Sequence, residues 1–96
     1  MITEQQAIVL QLIAESEYHD GEDPVEHETW TEVVMDYYEG TDKAFLGVLV
    51  SLSNVGMVRT TRGSGNRTQS GYDGTVAITA KGMEALKEYQ AARPAV

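Results

Sequence analysis

The sequence contains no cysteine, two prolines, one phenylalanine and one tryptophan among its 96 residues. The absence of cysteine excludes a disulfide framework and any thiolate metal site. No apolar run approaches the roughly 20 residues that a membrane-spanning helix needs. The first residues also lack the basic start and apolar stretch of a signal peptide. We therefore expect a soluble cytoplasmic protein that has no membrane among its partners.

Basic residues are absent from the first part of the chain. Residues 1–42 hold twelve aspartates and glutamates and no lysine or arginine, whereas residues 43–96 hold seven basic and three acidic residues. The net charge of the whole chain is −8. Because phosphate contacts dominate affinity for nucleic acid, only the second half could favour such a partner electrostatically. The acidic half would repel a duplex or favour a basic partner.

The first two predicted helices are marked by caps and apolar spacing. Thr3 followed by Gln6 is the capping-box pattern that begins a first helix. A second helix is predicted to begin near Thr29 and to end at Gly40, because a glycine commonly follows the last helical residue. Its expected buried face comprises Trp30, Val33, Val34 and Tyr37.

A third helix follows the second almost at once. Its apolar spacing predicts a helix from Asp42 to Asn54. Two helices joined by so short a glycine-containing turn are typical of a helix-turn-helix. After Gly56 the sequence changes to short β-branched segments on either side of a glycine-rich stretch, which predicts a hairpin.

Length and element order predict a single domain of the α+β class. A chain of 96 residues has room for one modest core. We expect one domain over residues 1–96, in which three helices precede a two-stranded β-hairpin over about 57–79 and a C-terminal helix over about 80–92.

Two segments of the chain carry a family resemblance. The first is Leu49-Val-Ser-Leu-Ser-Asn-Val-Gly-Met-Val58, and the second is Ala77-Ile-Thr-Ala-Lys-Gly-Met-Glu-Ala-Leu86. They resemble the end of the recognition helix and the second wing strand of winged helix-turn-helix proteins, specifically MarR-type and PadR-type bacterial transcriptional regulators. The resemblance covers most of residues 28–92. It implies a winged-helix fold whose third helix lies in the DNA major groove and whose hairpin, the wing, contacts the backbone or minor groove.

The resemblance implies a set of residues that contact DNA. Carried over by position, they are Lys43, Gly47, Ser51, Asn54, Arg59, Arg62, Asn66 and Arg67. Arginines on a hairpin suit phosphate or minor-groove contacts. The third helix departs from the family pattern, because Leu46, Gly47 and Val50 occupy the middle of its outward face, where Arg, Lys, Asn or Gln usually read bases. A helix with two apolar stripes usually buries both, so this face of α3 is as well suited to contact with a protein as to contact with DNA.

Two functional hypotheses therefore stay open. The first is a small winged-helix DNA-binding protein, a transcriptional regulator that contacts duplex DNA through the wing and third helix and forms a homodimer through its first and last helices. The second is an acidic winged-helix adaptor or inhibitor that binds a protein partner, such as a viral or mobile-element modulator of host machinery. The residues of that alternative protein-binding surface are Glu32, Asp36, Glu39, Leu46 and Val50.

Catalytic and metal-binding motifs are lacking in the sequence. The short Gly63-Ser64-Gly65 stretch has no Lys-Ser or Lys-Thr pair and no following helix, so it is not a phosphate-binding loop. His19 and His27 match no standard metal-ligand spacing. We expect neither an enzyme nor a protein that requires a cofactor or metal.

Overall fold

The protein consists of four helices and a three-stranded antiparallel sheet over the residues that the computed structural model describes, namely 2–16, 23, 25, 27–61 and 74–92. In chain order the elements are α1 (Glu4–Ala14), β1 (Thr29–Trp30), α2 (Thr31–Tyr37), α3 (Asp42–Asn54), β2 (Val58–Thr61), β3 (Thr75–Ile78) and α4 (Ala80–Ala92). Within these ranges, no helix has the length and apolar character needed to cross a membrane.

Helix α1 is the central element of the core. The predicted capping box is confirmed, because the backbone N–H of Gln6 donates to the Thr3 hydroxyl over 3.2 Å and the Thr3 N–H donates to Gln6 Oε1 over 2.9 Å. The helix packs against α3, α4 and β3. Val9, Leu10 and Ile13 are fully buried there. One helix thus contributes apolar side chains to both the helical and the sheet side of the core.

The prediction for the start of the second helix is wrong. Thr29 and Trp30 form β1, and α2 runs only from Thr31 to Tyr37. Trp30 and Tyr37, both expected in the core, are 52% and 63% exposed. The physical reason is strand pairing: β1 pairs with β3, and the Thr31 N–H donates to the Gly74 carbonyl over 3.0 Å. These backbone bonds hold Thr29 and Trp30 in an extended conformation.

Tyr38 explains why α2 ends before Gly40. Its backbone is extended, with φ −77° and ψ 128°. Its ring packs edge-to-face on Phe45 at 5.5 Å between centroids, and its hydroxyl donates to Gln5 Oε1 over 2.7 Å. The contacts of this side chain with α1 and α3 favour leaving the helix at Tyr37, so Gly40 is not the helix cap that the sequence predicted.

The sheet has three strands, whereas the sequence predicted two. Its order is β1-β3-β2, and both pairs are antiparallel. β2 and β3 pair as the predicted hairpin does, with Val58 opposite Ile78 and Thr61 opposite Thr75. β1 adds a third strand on the other side of β3, because Thr29 lies opposite Val76.

The predicted third and fourth helices are confirmed. α3 spans Asp42–Asn54, and the Thr41 hydroxyl accepts the Ala44 N–H over 3.1 Å. α4 spans Ala80–Ala92, and the Thr79 hydroxyl accepts the Gly82 N–H over 3.1 Å. A hydroxyl that satisfies an early helical N–H fixes the start of the helix, and this is why both beginnings could be predicted.

Candidate nucleic-acid interface

Helix α3 has one buried face and one exposed face. Phe45, Leu49 and Leu52 recur at intervals of four and three residues and are all buried. The opposite face carries the exposed residues Lys43, Gly47, Val50 and Asn54 at intervals of four, three and four. These intervals place the four residues in a single row along the helix. We call this row the outward line.

The outward line is open at its centre. A Cβ atom added to Gly47 would have no neighbouring atom within 4 Å. Val50 is 58% exposed. The described part of the chain leaves Val50 uncovered, so burial of the second apolar stripe of α3 against a partner stays a prediction. This surface can approach another molecule closely, since Gly47 has no side chain and Val50 has a short one.

Two of the predicted contact residues on α3 lie beside the outward line. Ser51 is half-buried, where its hydroxyl donates to the Val48 carbonyl over 2.7 Å and accepts from Gln6 Nε2 over 3.2 Å. Leu46 is also half-buried and packs against the core. Ser51 thus links α3 to α1, and its place in a DNA-binding surface remains a prediction.

The end of α3 is joined to the start of α4 by three hydrogen bonds. The Lys81 ammonium donates to the Val55 carbonyl over 2.7 Å, and the Thr79 hydroxyl donates to the Gly56 carbonyl over 2.7 Å. The Thr79 N–H donates to the Met57 carbonyl over 3.0 Å. We call this contact the α3–α4 junction. It satisfies carbonyls just after the helix and fixes the position of α3 relative to α4.

Gly82 makes the α3–α4 junction possible. A Cβ atom at this position would lie 2.2 Å from the Met57 carbonyl oxygen and 2.9 Å from a side-chain carbon of Ile78. Gly56, on the other side of the junction, has φ +78°, a conformation that L side chains rarely adopt. Gly82 belongs to the segment 77–86 that carries the family resemblance, but its contact with Met57 could not be predicted, because the two residues are 25 positions apart.

The base of the wing carries a basic and an acidic side chain. Arg59 is exposed on β2, and its Nη2 donates to the Val25 carbonyl over 2.8 Å. A guanidinium has five N–H donors, so this bond leaves donors with which Arg59 can contact a phosphate. That contact stays a prediction. Glu28 accepts hydrogen bonds from the hydroxyls of Thr61 and Thr75 at 3.3 and 3.0 Å. The other predicted wing contacts, Arg62, Asn66 and Arg67, lie outside the described residues.

The acidic surface of the alternative hypothesis lies on and after α2. Asp36 and Glu39 are exposed, and Glu32 is half-buried. Because Leu46 packs against the core, Val50, which is 58% exposed, is the only apolar member of the predicted protein-binding set that lies mostly at the surface. An apolar contact area of one valine is small compared with the buried centre of a typical protein–protein interface.

The histidine-containing segment is described only in part. Nδ1 of His27 lies 3.0 Å from the Asp23 carbonyl oxygen, and His19 lies outside the described residues. Across the part of the chain that the structure describes, no three His, Asp or Glu side chains form a group that could hold a metal ion.

A cavity of about 950 Å³ opens between the start of α1, the end of α3 and α4. Its apolar lining comprises Ile2, Val55, Met57, Ala85, Tyr89 and Ala92, and its polar lining comprises Gln6, Lys81, Glu84 and Glu88. Val55 is 44% exposed. We call this cavity the α1–α4 groove. It leaves apolar side chains of α4 and of the segment after α3 accessible from outside, whereas α1 contributes only Gln6 to the lining.

Comparison with known proteins gives a fold and no closer relationship. No protein-family model and no curated protein matches the chain. Among solved structures, a mutant of ZitR from Lactococcus lactis is similar, with a TM-score of 0.61 and 16% sequence identity. The match covers 94% of this chain and 51% of the ZitR chain, so this chain spans about half the length of that protein. The likeness shows that the chain has a fold similar to that of a winged-helix regulator.

Proposed function

We propose that this protein is a DNA-binding regulator that contacts duplex DNA through the outward line of α3 and through the wing. The observation that carries the proposal is the exposed row Lys43, Gly47, Val50 and Asn54 on the second helix of a helix-turn-helix. The likeness to a winged-helix regulator supports it. The finer resemblance to MarR-type and PadR-type regulators, in residues 49–58 and 77–86, belongs to the same proposal.

The dimensions of α3 suit the major groove. A helix with its side chains is about 10–12 Å across, and the groove of B-DNA is about 12 Å wide. The outward line from Lys43 to Asn54 is roughly 16 Å long at 1.5 Å per residue. Gly47 near its middle allows the helix backbone to approach the base edges, since nothing lies within 4 Å of its Cβ position.

The charges of α3 and its surroundings predict weak binding by one copy. Lys43 is the only basic residue on α3, and Asp42 precedes it in the first turn. A carboxylate there stabilises the helix, because it complements the partial positive charge of the N-terminus, but it opposes phosphate contact. Most of the electrostatic attraction must therefore come from the wing arginines that the sequence predicts.

Replacing Arg62 and Arg67 together by alanine is expected to weaken duplex binding and its dependence on salt. Each phosphate contact contributes about −0.9 to the slope of log affinity against log salt. Loss of two contacts should therefore make the slope of each bound copy less negative by about two, as measured by fluorescence anisotropy at several salt concentrations. An unchanged slope and affinity would show that the wing takes no part in binding.

A homodimer would double these contacts, and we propose that two copies pair through the α1–α4 groove. The groove exposes apolar side chains of α4, one of the two helices that the sequence predicts for the dimer, and the other, α1, lines it with Gln6. Pairing would remove Val55, which is 44% exposed, from water.

Val55→Arg is expected to convert the dimer to a monomer, because it introduces a charge into an apolar contact. The matched control is Gln90→Arg, which replaces an exposed residue of α4 that does not line the groove. Sedimentation velocity should give a dimer for the unchanged protein and the control, and a monomer for Val55→Arg. A monomer in all three cases would contradict pairing, and a dimer in all three would place it elsewhere.

A further inference from the structure

We propose that the outward line of α3 recognises A·T base pairs, with Asn54 hydrogen-bonded to adenine and Val50 packed against the methyl group of thymine. This inference rests on the proposed DNA-binding function and names the base pairs that the function requires. It follows from the chemistry of the two side chains that the line presents in its C-terminal half, and from their spacing.

Asn54 is equipped to recognise adenine. It is exposed at the last position of α3, and its amide forms no hydrogen bond with another described residue. A carboxamide presents one acceptor beside one donor group, which matches the N6 donor and N7 acceptor of adenine in the major groove. Guanine presents two acceptors there and is matched instead by Arg or Lys. The only such residue on α3 is Lys43, three turns away at the opposite end of the line.

Val50 is equipped to recognise thymine. Its side chain is 58% exposed at the protein surface. Exposed apolar area is unfavourable in water, and contact with another apolar group relieves that cost. Thymine carries the one apolar group of the major-groove base edges, the 5-methyl group. Val50 therefore favours thymine over the other three bases.

The spacing of the two residues predicts the spacing of the two bases. Val50 and Asn54 are four residues apart, which is about 6 Å along a helix. Successive base pairs are about 3.4 Å apart, so the thymine and the adenine should be separated by roughly two base steps. Gly47 has no side chain to contact a base, and we expect no base preference at the position facing it.

The test uses three fluorescent duplexes of equal length at one salt concentration: an A·T duplex in which thymine and adenine two steps apart occur both within one strand and across strands, the same duplex with deoxyuridine in place of thymidine, and a G·C duplex in which guanine replaces adenine and cytosine replaces thymine. Deoxyuridine lacks only the 5-methyl group. The unchanged protein should bind the A·T duplex roughly thirtyfold to fiftyfold more tightly than the G·C duplex, the product of about tenfold for one amide–adenine pair and about threefold to fivefold for the thymine methyl group. Deoxyuridine should weaken binding about threefold to fivefold, the effect of losing one buried methyl group.

Single substitutions assign the two effects to their residues. Val50→Ala should make the thymidine and deoxyuridine duplexes bind equally. Asn54→Ala should reduce the A·T preference to the about threefold to fivefold that Val50 contributes, and it should change G·C affinity by less than about twofold. The control is Ser53→Ala, at an exposed position of α3 beside the outward line, which should retain both preferences. Circular dichroism should show that all three variants keep the helical content of the unchanged protein.

The inference and the proposed function fail in different ways. Equal binding of all three duplexes by the unchanged protein would overturn the inference and leave DNA binding intact. So would an Asn54→Ala variant that loses A·T and G·C affinity in equal measure. Absence of binding to every duplex, even at low salt, would contradict the DNA-binding function itself and the inference with it.

Discussion

Gly82→Ala is expected to destabilise the protein by about 3 kcal/mol, the upper part of the range for overpacked sites. The added methyl group would meet the Met57 carbonyl oxygen at 2.2 Å, and that atom belongs to the backbone and cannot turn away. Relief requires α4 to move away from the end of α3, which strains the α3–α4 junction. For a domain of this size the midpoint of thermal unfolding should fall by on the order of 15 °C.

Gly47→Ala provides the matched control for this substitution. Both glycines lie within helices, so alanine gains about 1 kcal/mol of helix propensity at either position. At Gly47 nothing lies within 4 Å of the added atom, and the protein should become more stable by up to that amount. Urea and thermal denaturation of both variants should therefore give shifts of opposite sign. If Gly82→Ala unfolds at the same temperature as the unchanged protein or above it, the close packing of α4 on Met57 is wrong.

Gly47→Glu is expected to weaken duplex binding tenfold or more. The position is open, so the folded structure can accept the side chain. In the proposed complex, however, the carboxylate would lie at the middle of the outward line, among the phosphates and base edges. Like charges brought together at an interface cost several kcal/mol. The measurement is the dissociation constant from fluorescence anisotropy at low salt.

Two controls separate the position of the charge from its other effects. Gln90→Glu makes the same change in net charge at an exposed position of α4, and we expect it to alter affinity by less than twofold. Gly47→Ala adds a side chain at the same position without a charge, so it shows how much of the loss comes from the carboxylate and how much from filling the position. Should Gly47→Glu and Gln90→Glu weaken binding equally, the decisive quantity is net charge, and α3 does not face the duplex.

The elements that the sequence predicted well are those with local signals. The predicted starts of α1, α3 and α4 each coincide with a threonine hydroxyl, that of Thr3, Thr41 or Thr79, which accepts an N–H from three positions later in the chain. The apolar spacing of α3 then fixed which of its residues face the core. The members of the outward line could be named for the same reason, since a helical face is set by spacing alone.

The features that escaped prediction depend on contacts between distant parts of the chain. β1 has two residues, too few for an alternating pattern, and it forms because Thr29 lies opposite Val76. Because the residues after Trp30 follow a helical pattern, the predicted helix began near Thr29 and included Trp30. Gly82 has no room for a side chain because the Met57 carbonyl lies against it, and Met57 is 25 positions earlier in the chain. Ser51 accepts a hydrogen bond from Gln6 of α1. The spacing of residues within α3 cannot reveal a contact with another helix.

The most direct test of the central proposal, that this protein binds duplex DNA, is a titration of a fluorescent mixed-sequence duplex at about 50 and about 150 mM salt. We predict binding at the lower concentration and a loss of roughly thirtyfold at the higher one, the change expected for a salt slope near −3 for each copy, and a larger loss for a dimer. No binding at the lower concentration would contradict the proposal.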